Sequence, residues 1–213
     1  MTINNGYCTL PELKGNINAD GAAKTTVRDE TNLEIAIEAI SRLIDSIHDT
    51  NFYGATETRY FTTRFNDLLY IDDLISVDTL KTDDDYDGTY ETTWTTSDYW
   101  LEPRNARVKA NAEDREPYRQ IRVNINGDYA FPTGLDHAIE IAGVWGYTNS
   151  TPPAIKQACI LAAHRVWKRK DSIFGIQGTP QLGVAVIQAR IQQDSDIMML
   201  LTQGVSMRAA YYG

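Results

Sequence analysis

The stretch "DDDYDGTYETTW", residues 83–94, holds the densest set of groups that could do chemistry. Asp83, Asp85, Asp87 and Gly88 match positions 1, 3, 5 and 6 of a calcium loop, and Glu91 matches position 9. Carboxylates at alternate positions offer oxygen ligands to a hard cation, and the glycine permits the sharp turn. Position 12 should be a bidentate Glu, and here it is Trp94. The flanks read as strands, not helices. The plainer expectation is a β-hairpin turn at Asp87-Gly88 with no metal. The alternative is a calcium-dependent binding module centred on Asp83–Glu91.

The remaining candidates are thinner. His48, His137 and His164 are scattered, with no HExxH spacing and no cysteine cluster, so zinc is not expected. The chain contains neither a GxSxG elbow nor a Gly-rich Lys-Ser/Thr phosphate loop. Asp72-Asp73 could serve as an acid–base pair, but without a partner motif they read as solvated loop acids. A hydrolase using such carboxylates is the enzymatic rival. The expectation is no catalytic residue, no cofactor and no enzyme activity. Cys8 and Cys159 are too far apart in sequence to suggest a disulfide framework, and Cys159 reads as a small core residue. A reducing compartment fits.

The elements that would carry these groups follow from pattern. "TLPE" has the capping-box form, Thr9 to Glu12, and predicts a short helix to about Ile17. Residues 18–28 read as a polar loop. Thr31 and Glu34 suggest a second capping box, and Leu33, Ile37, Ile40, Ile44 and Ile47 recur at helical spacing, predicting a helix over about 30–48. From residue 53 to 148 the texture is short runs of Thr, Tyr, Val and Ile split by Asp, Gly and Asn, which reads as strands and turns. "HAIEIAGVWGY", 137–147, reads as the last strand.

Then comes "TPPAIKQACILAAHRVWKRK", 151–170. Thr151 suits an N-cap, and Pro152 and Pro153 suit the first turn. Residues 154–167 are apolar on nearly every side, as in a helix buried on several faces. Lys168, Arg169 and Lys170 fall in its last turn, where cations complement the helix dipole. They could also meet an acidic partner. Residues 184–191 could be helical or extended, and the extended form is preferred. A short helix over about 195–203, capped by Asp194, follows. In the tail, Met207, Arg208, Tyr211 and Tyr212 have too few neighbours to form a core and suggest an interface.

The chain has 213 residues, 42% hydrophobic and 23% charged, an ordinary globular composition. No apolar run reaches the roughly 20 residues that span a bilayer, and the first residues show no basic or apolar leader, so neither membrane nor signal peptide is expected. The net charge of −9 is uneven. Residues 49–102 carry 13 acids and 3 bases, while residues 103–213 carry 9 acids and 13 bases. That argues against a conventional nucleic-acid-binding face on the middle segment. It permits head-to-tail contact between copies, acidic surface against basic surface, and equally a solvated acidic surface kept for solubility.

"YCTLPELKG", "AIEAISRLIDSIHDTNFYGATETRYF", "LLYIDDLISVDTL", "DGTYETTWTTSDYWLEPRNA", "IEIAGVWGY" and above all "PPAIKQACILAAHRVWKRKDSIFG" together resemble the phage gp6-like head–tail connector family, also called adaptor or head-completion proteins. "DSDIMMLL" is similar to the family's closing segment, with Ser195 where a proline is more usual. Order and spacing agree over about 190 residues of the chain. The resemblance implies an α+β fold: a small α-helical bundle, residues 1–52 and 149–203, with a β-rich insertion, 53–148, between the second and third helices. It implies a structural virion protein at the head–tail interface, assembled in host cytoplasm. It implies a homo-oligomeric ring of about twelve copies under the portal protein. Such a ring extends the DNA channel and offers a platform to a stopper or tail-completion protein. DNA would pass without sequence-specific binding, and acidic walls would let it slide. The tail, 204–213, would reach the portal through Met207, Arg208, Tyr211 and Tyr212, with Lys168, Arg169 and Lys170 as further contacts.

Overall fold

The computed structural model describes residues 3–19, 27–108, 111, 115–169, 176–177, 186–187 and 194–202. The fold is α+β. Among the described residues there are four helices and a six-stranded antiparallel sheet, with a separate two-stranded ribbon. The chain divides into two compact units: residues 1–49 with 151–213, and residues 50–150.

The helical unit begins with α1, Leu10–Ala19. Thr9 and Glu12 close the expected capping box: the Thr9 N–H donates to Glu12 Oε2 at 2.8 Å, and the Glu12 N–H reaches Thr9 Oγ1 at 3.4 Å. These bonds and the neighbouring Lys156 ammonium hold the Glu12 carboxyl below its usual range. Leu13 and Ile17, one turn apart, are buried. The second helix, α2, runs Val27–His48. It starts earlier than the sequence pattern predicts, so Thr31 and Glu34 lie inside it and form no cap. Asp29 and Glu30 occupy its first turn and stabilise that end against the helix dipole. Leu33, Ile37, Ile40 and Ile44 are buried on one face, as predicted, and Ile47 is half-buried.

The third helix, α3, spans Pro153–Arg169. The carbonyl of Pro152, not Thr151, takes the first bond, from Lys156 N–H at 2.9 Å. Pro153 therefore stands at the first helical position, where a missing N–H costs nothing. Ile155, Ala158, Cys159, Ile160, Ala162 and Ala163 are buried, and α3 packs against α1, α2 and α4, Ser195–Thr202. Asp194 caps α4, its Oδ1 accepting the Asp196 and Ile197 N–H groups at 3.2 and 3.3 Å. Val186–Ile187 is extended and pairs with Ile176–Gln177, so this part of 184–191 is strand.

The β unit contains β1 (Ala55–Phe61), β2 (Leu68–Thr82), β3 (Thr92–Trp94), β4 (Tyr99–Glu102), β5 (Tyr118–Val123) and β6 (Ile139–Trp145). The order is β1-β6-β2-β5-β4, with β3 paired to the end of β2. The long β2 pairs with β5 through Leu68–Leu74 and with β6 through Leu74–Thr82, with register shifts on both sides. "LLYI" and "LISVDTL" read in sequence as two strands; they are one bulged strand. Leu69, Leu74, Leu80, Trp94, Ile121, Phe131, Ile141 and Trp145 form the core of this unit. At Gly143 a Cβ would stand 2.3 Å from the Ser76 carbonyl, so only glycine lets β6 approach the bulge.

Candidate functional site

The acidic stretch sits between two paired strands, as a hairpin should: Leu80 faces Trp94 and Thr82 faces Thr92. The connection is not a two-residue turn at Asp87-Gly88, however. It is a loop over 83–91 wound around one carboxylate. Asp83 is only 3% exposed. Its Oδ1 accepts the N–H groups of Tyr86 and Asp87 at 2.7 and 3.2 Å, and its Oδ2 accepts that of Gly88 at 2.8 Å. Three donors converging on a buried acid demand left-handed backbone at Tyr86 (φ 62°) and Gly88 (φ 89°). Asp87 Oδ1 accepts the Thr89 N–H at 2.8 Å, and Asp84 accepts the Thr92 hydroxyl at 2.7 Å.

Asp85, Asp87 and Glu91 are exposed, and one oxygen from each of these and Asp83 lies within 4.8 Å of the others. These four are the side chains, among the described residues, that could present clustered oxygens to a hard cation. Trp94, where a chelating Glu would stand, serves the core instead. It stacks on Phe131 at 4.8 Å, and its Nε1–H donates to Thr82 Oγ1 at 3.1 Å.

Asp72 and Asp73 are not solvated loop acids. Both lie within β2. Asp73 is 5% exposed and accepts from Arg119 Nε at 2.9 Å and Thr50 Oγ1 at 2.6 Å. Asp72 pairs with Arg59 at 3.1 Å. Their charges are satisfied across strands, which is why two adjacent acids do not break β2. The histidines stay apart. His48 ends α2, and burial lowers its imidazole below the ordinary value. His164 lies on α3 with Nδ1 2.6 Å from Asn16 Oδ1. His137 lies in a loop, its N–H bonded to Thr62 Oγ1 at 2.9 Å.

Of the residues expected at an interface, Lys168 is exposed in the last turn of α3, and Arg169 closes that helix. Lys170, Met207, Arg208, Tyr211 and Tyr212 lie outside the described residues. Sequence reasoning passed over Arg165, one turn before the basic cluster. It bonds Asp194 and reaches Asp196 at 3.7 Å, tying α3 to the start of α4. It also missed β4 and a groove beside it. After Leu74, β2 leaves β5, and β3 does not begin to pair until Leu80. In that gap lies a cavity of about 420 Å³ whose walls include Val77, Tyr99, Trp100, Arg104 and Tyr118. The Arg104 guanidinium stacks 4.3 Å above the Trp100 ring. The signal was there in "YWLE", whose Tyr99 and Leu101 face Val123 and Ile121.

Charge follows the division of the chain. Residues 50–150 carry 18 acids and 9 bases, a net of −9. The other unit carries 11 acids and 11 bases and is neutral. The acidic character of the protein therefore belongs to the β unit.

No protein-family model and no curated protein matches this chain. Solved structures do. A chain in the neck of an empty GTA (gene transfer agent) particle, computed with C6 symmetry, is similar with a TM-score of 0.59 at 15% identity, covering 98% of this chain and 94% of that one. A chain in the neck of a native GTA particle, computed with C12 symmetry, is similar with a TM-score of 0.54 at 16% identity, covering 98% and 93%. This chain shares its fold with particle-neck chains. The likeness runs through both units, helical and β, rather than through one common module.

Proposed function

We propose that this protein is a structural head–tail connector of a tailed phage or phage-like particle. The observation that carries the reading is the fold shared, over 98% of the chain, with chains of GTA necks. Those necks were computed with C6 and C12 symmetry, which supports a homo-oligomeric ring here, of about twelve copies. In this reading the helical residues, 1–52 and 149–203, form a small bundle and 53–148 an insertion. The tail, 204–213, docks on the portal protein through Met207, Arg208, Tyr211 and Tyr212, assisted by Lys168, Arg169 and Lys170.

The charge division suits such an assembly. A β unit of net −9 can meet basic surface on a neighbour, and it repels phosphates where it borders a DNA channel. DNA then slides past without being read. The role requires no catalysis: the work is done by a shaped surface that binds the portal on one side and a stopper or tail-completion protein on the other.

The test is particle imaging and native mass measurement of the protein mixed with portal protein, with and without residues 204–213. The full chain is expected to form a ring on the portal, and the truncated chain to stay folded but unattached. A full chain that remains monomeric and ignores the portal would sink the connector reading. A truncated chain that binds undiminished would move the portal contact to the basic end of α3.

A further inference from the structure

Two thiols meet inside the helical unit. Cys8 lies on the segment before α1 and Cys159 in the middle of α3; they are free, 3% and 0% exposed, with sulfurs 3.6 Å apart. We propose that this pair is a peroxide-reactive site that closes reversibly into a disulfide, stapling the segment before α1 to α3.

The surroundings set the order of events. Ser41 Oγ donates its one proton to the Ile37 carbonyl at 2.8 Å and accepts the Tyr7 N–H at 3.0 Å. Cys159 Sγ lies 3.7 Å from the same hydroxyl. When Cys159 is ionised, the Cys8 S–H is the donor to its sulfur, 3.6 Å away. The hydrogen bond that Cys8 gives to Cys159, together with burial, pushes the Cys8 thiol up, while the bond received from Cys8 lowers Cys159. Cys159 is thus the first to become a thiolate and is the attacking sulfur. Cys159 is 0% exposed, so its reaction with peroxide requires the segment that carries Cys8 to open.

The chemistry closes without further reagents. The Cys159 thiolate attacks one oxygen of hydrogen peroxide; the O–O bond breaks, hydroxide leaves and takes up a proton as water, and Cys159 becomes a sulfenic acid. When Cys8 returns, its sulfur loses its proton and attacks the sulfenic sulfur. The S–S bond forms, the S–O bond breaks, and a second water leaves. Two thiols are oxidised by two electrons and one peroxide is reduced to two waters. The sulfurs need approach by only about 1.5 Å to reach bonding distance. The closed loop, from 8 to 159, is long, so the bond constrains the unfolded chain strongly. In a reducing compartment the pair stays open; in an oxidising one it closes. This inference does not depend on the connector reading.

The experiment uses the full chain treated with dilute hydrogen peroxide, then denatured and alkylated. The expected product is a monomer that has lost two hydrogens, accepts no alkylating groups, melts higher than the reduced protein, and reverts with dithiothreitol. In Cys8→Ser, Cys159 should instead hold a sulfenic acid that dimedone labels. Two alkylatable thiols after treatment, a disulfide only between chains, or conversion straight to sulfinic acid would each overturn the proposal. The mass result on the wild-type chain decides even if the variant does not fold.

Discussion

Replacing Asp83 by Ala removes the one group around which the loop over 83–91 is wound. Its carboxylate takes three backbone N–H groups, from Tyr86, Asp87 and Gly88. A hydrogen bond to a charged group contributes about 1.5–3 kcal/mol when buried. Residues 86–88 are exposed, so water recovers much of each bond, and about 1 kcal/mol apiece is the better figure. Asp83→Ala should therefore cost about 3 kcal/mol, or roughly 6–12 °C for a chain of this size. Asp83→Asn keeps one accepting oxygen and should lose about half as much. Urea unfolding followed by circular dichroism measures both, and amide exchange at residues 86–88 localises the effect. A loss under about 0.5 kcal/mol in Asp83→Ala would refute the anchoring argument. The same protein should be titrated with calcium by calorimetry. With Trp94 in place of the bidentate Glu, no dissociation constant below ~10⁻⁵ M is expected. Tighter binding would mean that the four clustered carboxylates form a cation site.

Arg119→Ala leaves the buried Asp73 carboxylate with only Thr50 and should cost about 3–5 kcal/mol, against a negligible cost for Arg64→Ala on the surface; equal costs would show that the pair is not holding β2 to β5. Ala162→Leu forces three carbons into a position that is 1% exposed on α3, and a loss of about 1–3 kcal/mol is expected in thermal melts, with an unchanged melting temperature counting against close packing there. Because burial holds His48 below its ordinary value of about 6.5, the folded chain binds fewer protons than the unfolded one, so stability is full above that pH and falls as the pH drops through and below it. The urea midpoint should thus fall between pH 7.5 and 5.5 more in wild type than in His48→Gln, and equal falls would remove His48 from the account.

What the sequence alone determined is local. The period of Leu33, Ile37, Ile40 and Ile44, the capping box at Thr9 and Glu12, the Pro-led start of α3 and the cap at Asp194 each involve residues within a turn or two of one another. Such patterns are legible because helices bond to themselves. The β texture of 53–148 was legible for a similar reason, as composition. What only the tertiary structure decided lies between distant residues. Asp72 and Asp73 look like a break until Arg59 and Arg119 arrive from other strands to neutralise them, and then β2 runs on through both. Thr31 looks like a cap, but four more residues join the helix ahead of it. The loop over 83–91 shows its acids in order, yet not that one of them is buried and holds the rest. Cys8 and Cys159 are separated by most of the chain and meet only because the segment before α1 packs against both α2 and α3. A side chain's charge partner, burial and reactivity depend on what folding brings beside it, and sequence spacing carries that information only where the neighbours are also neighbours along the chain.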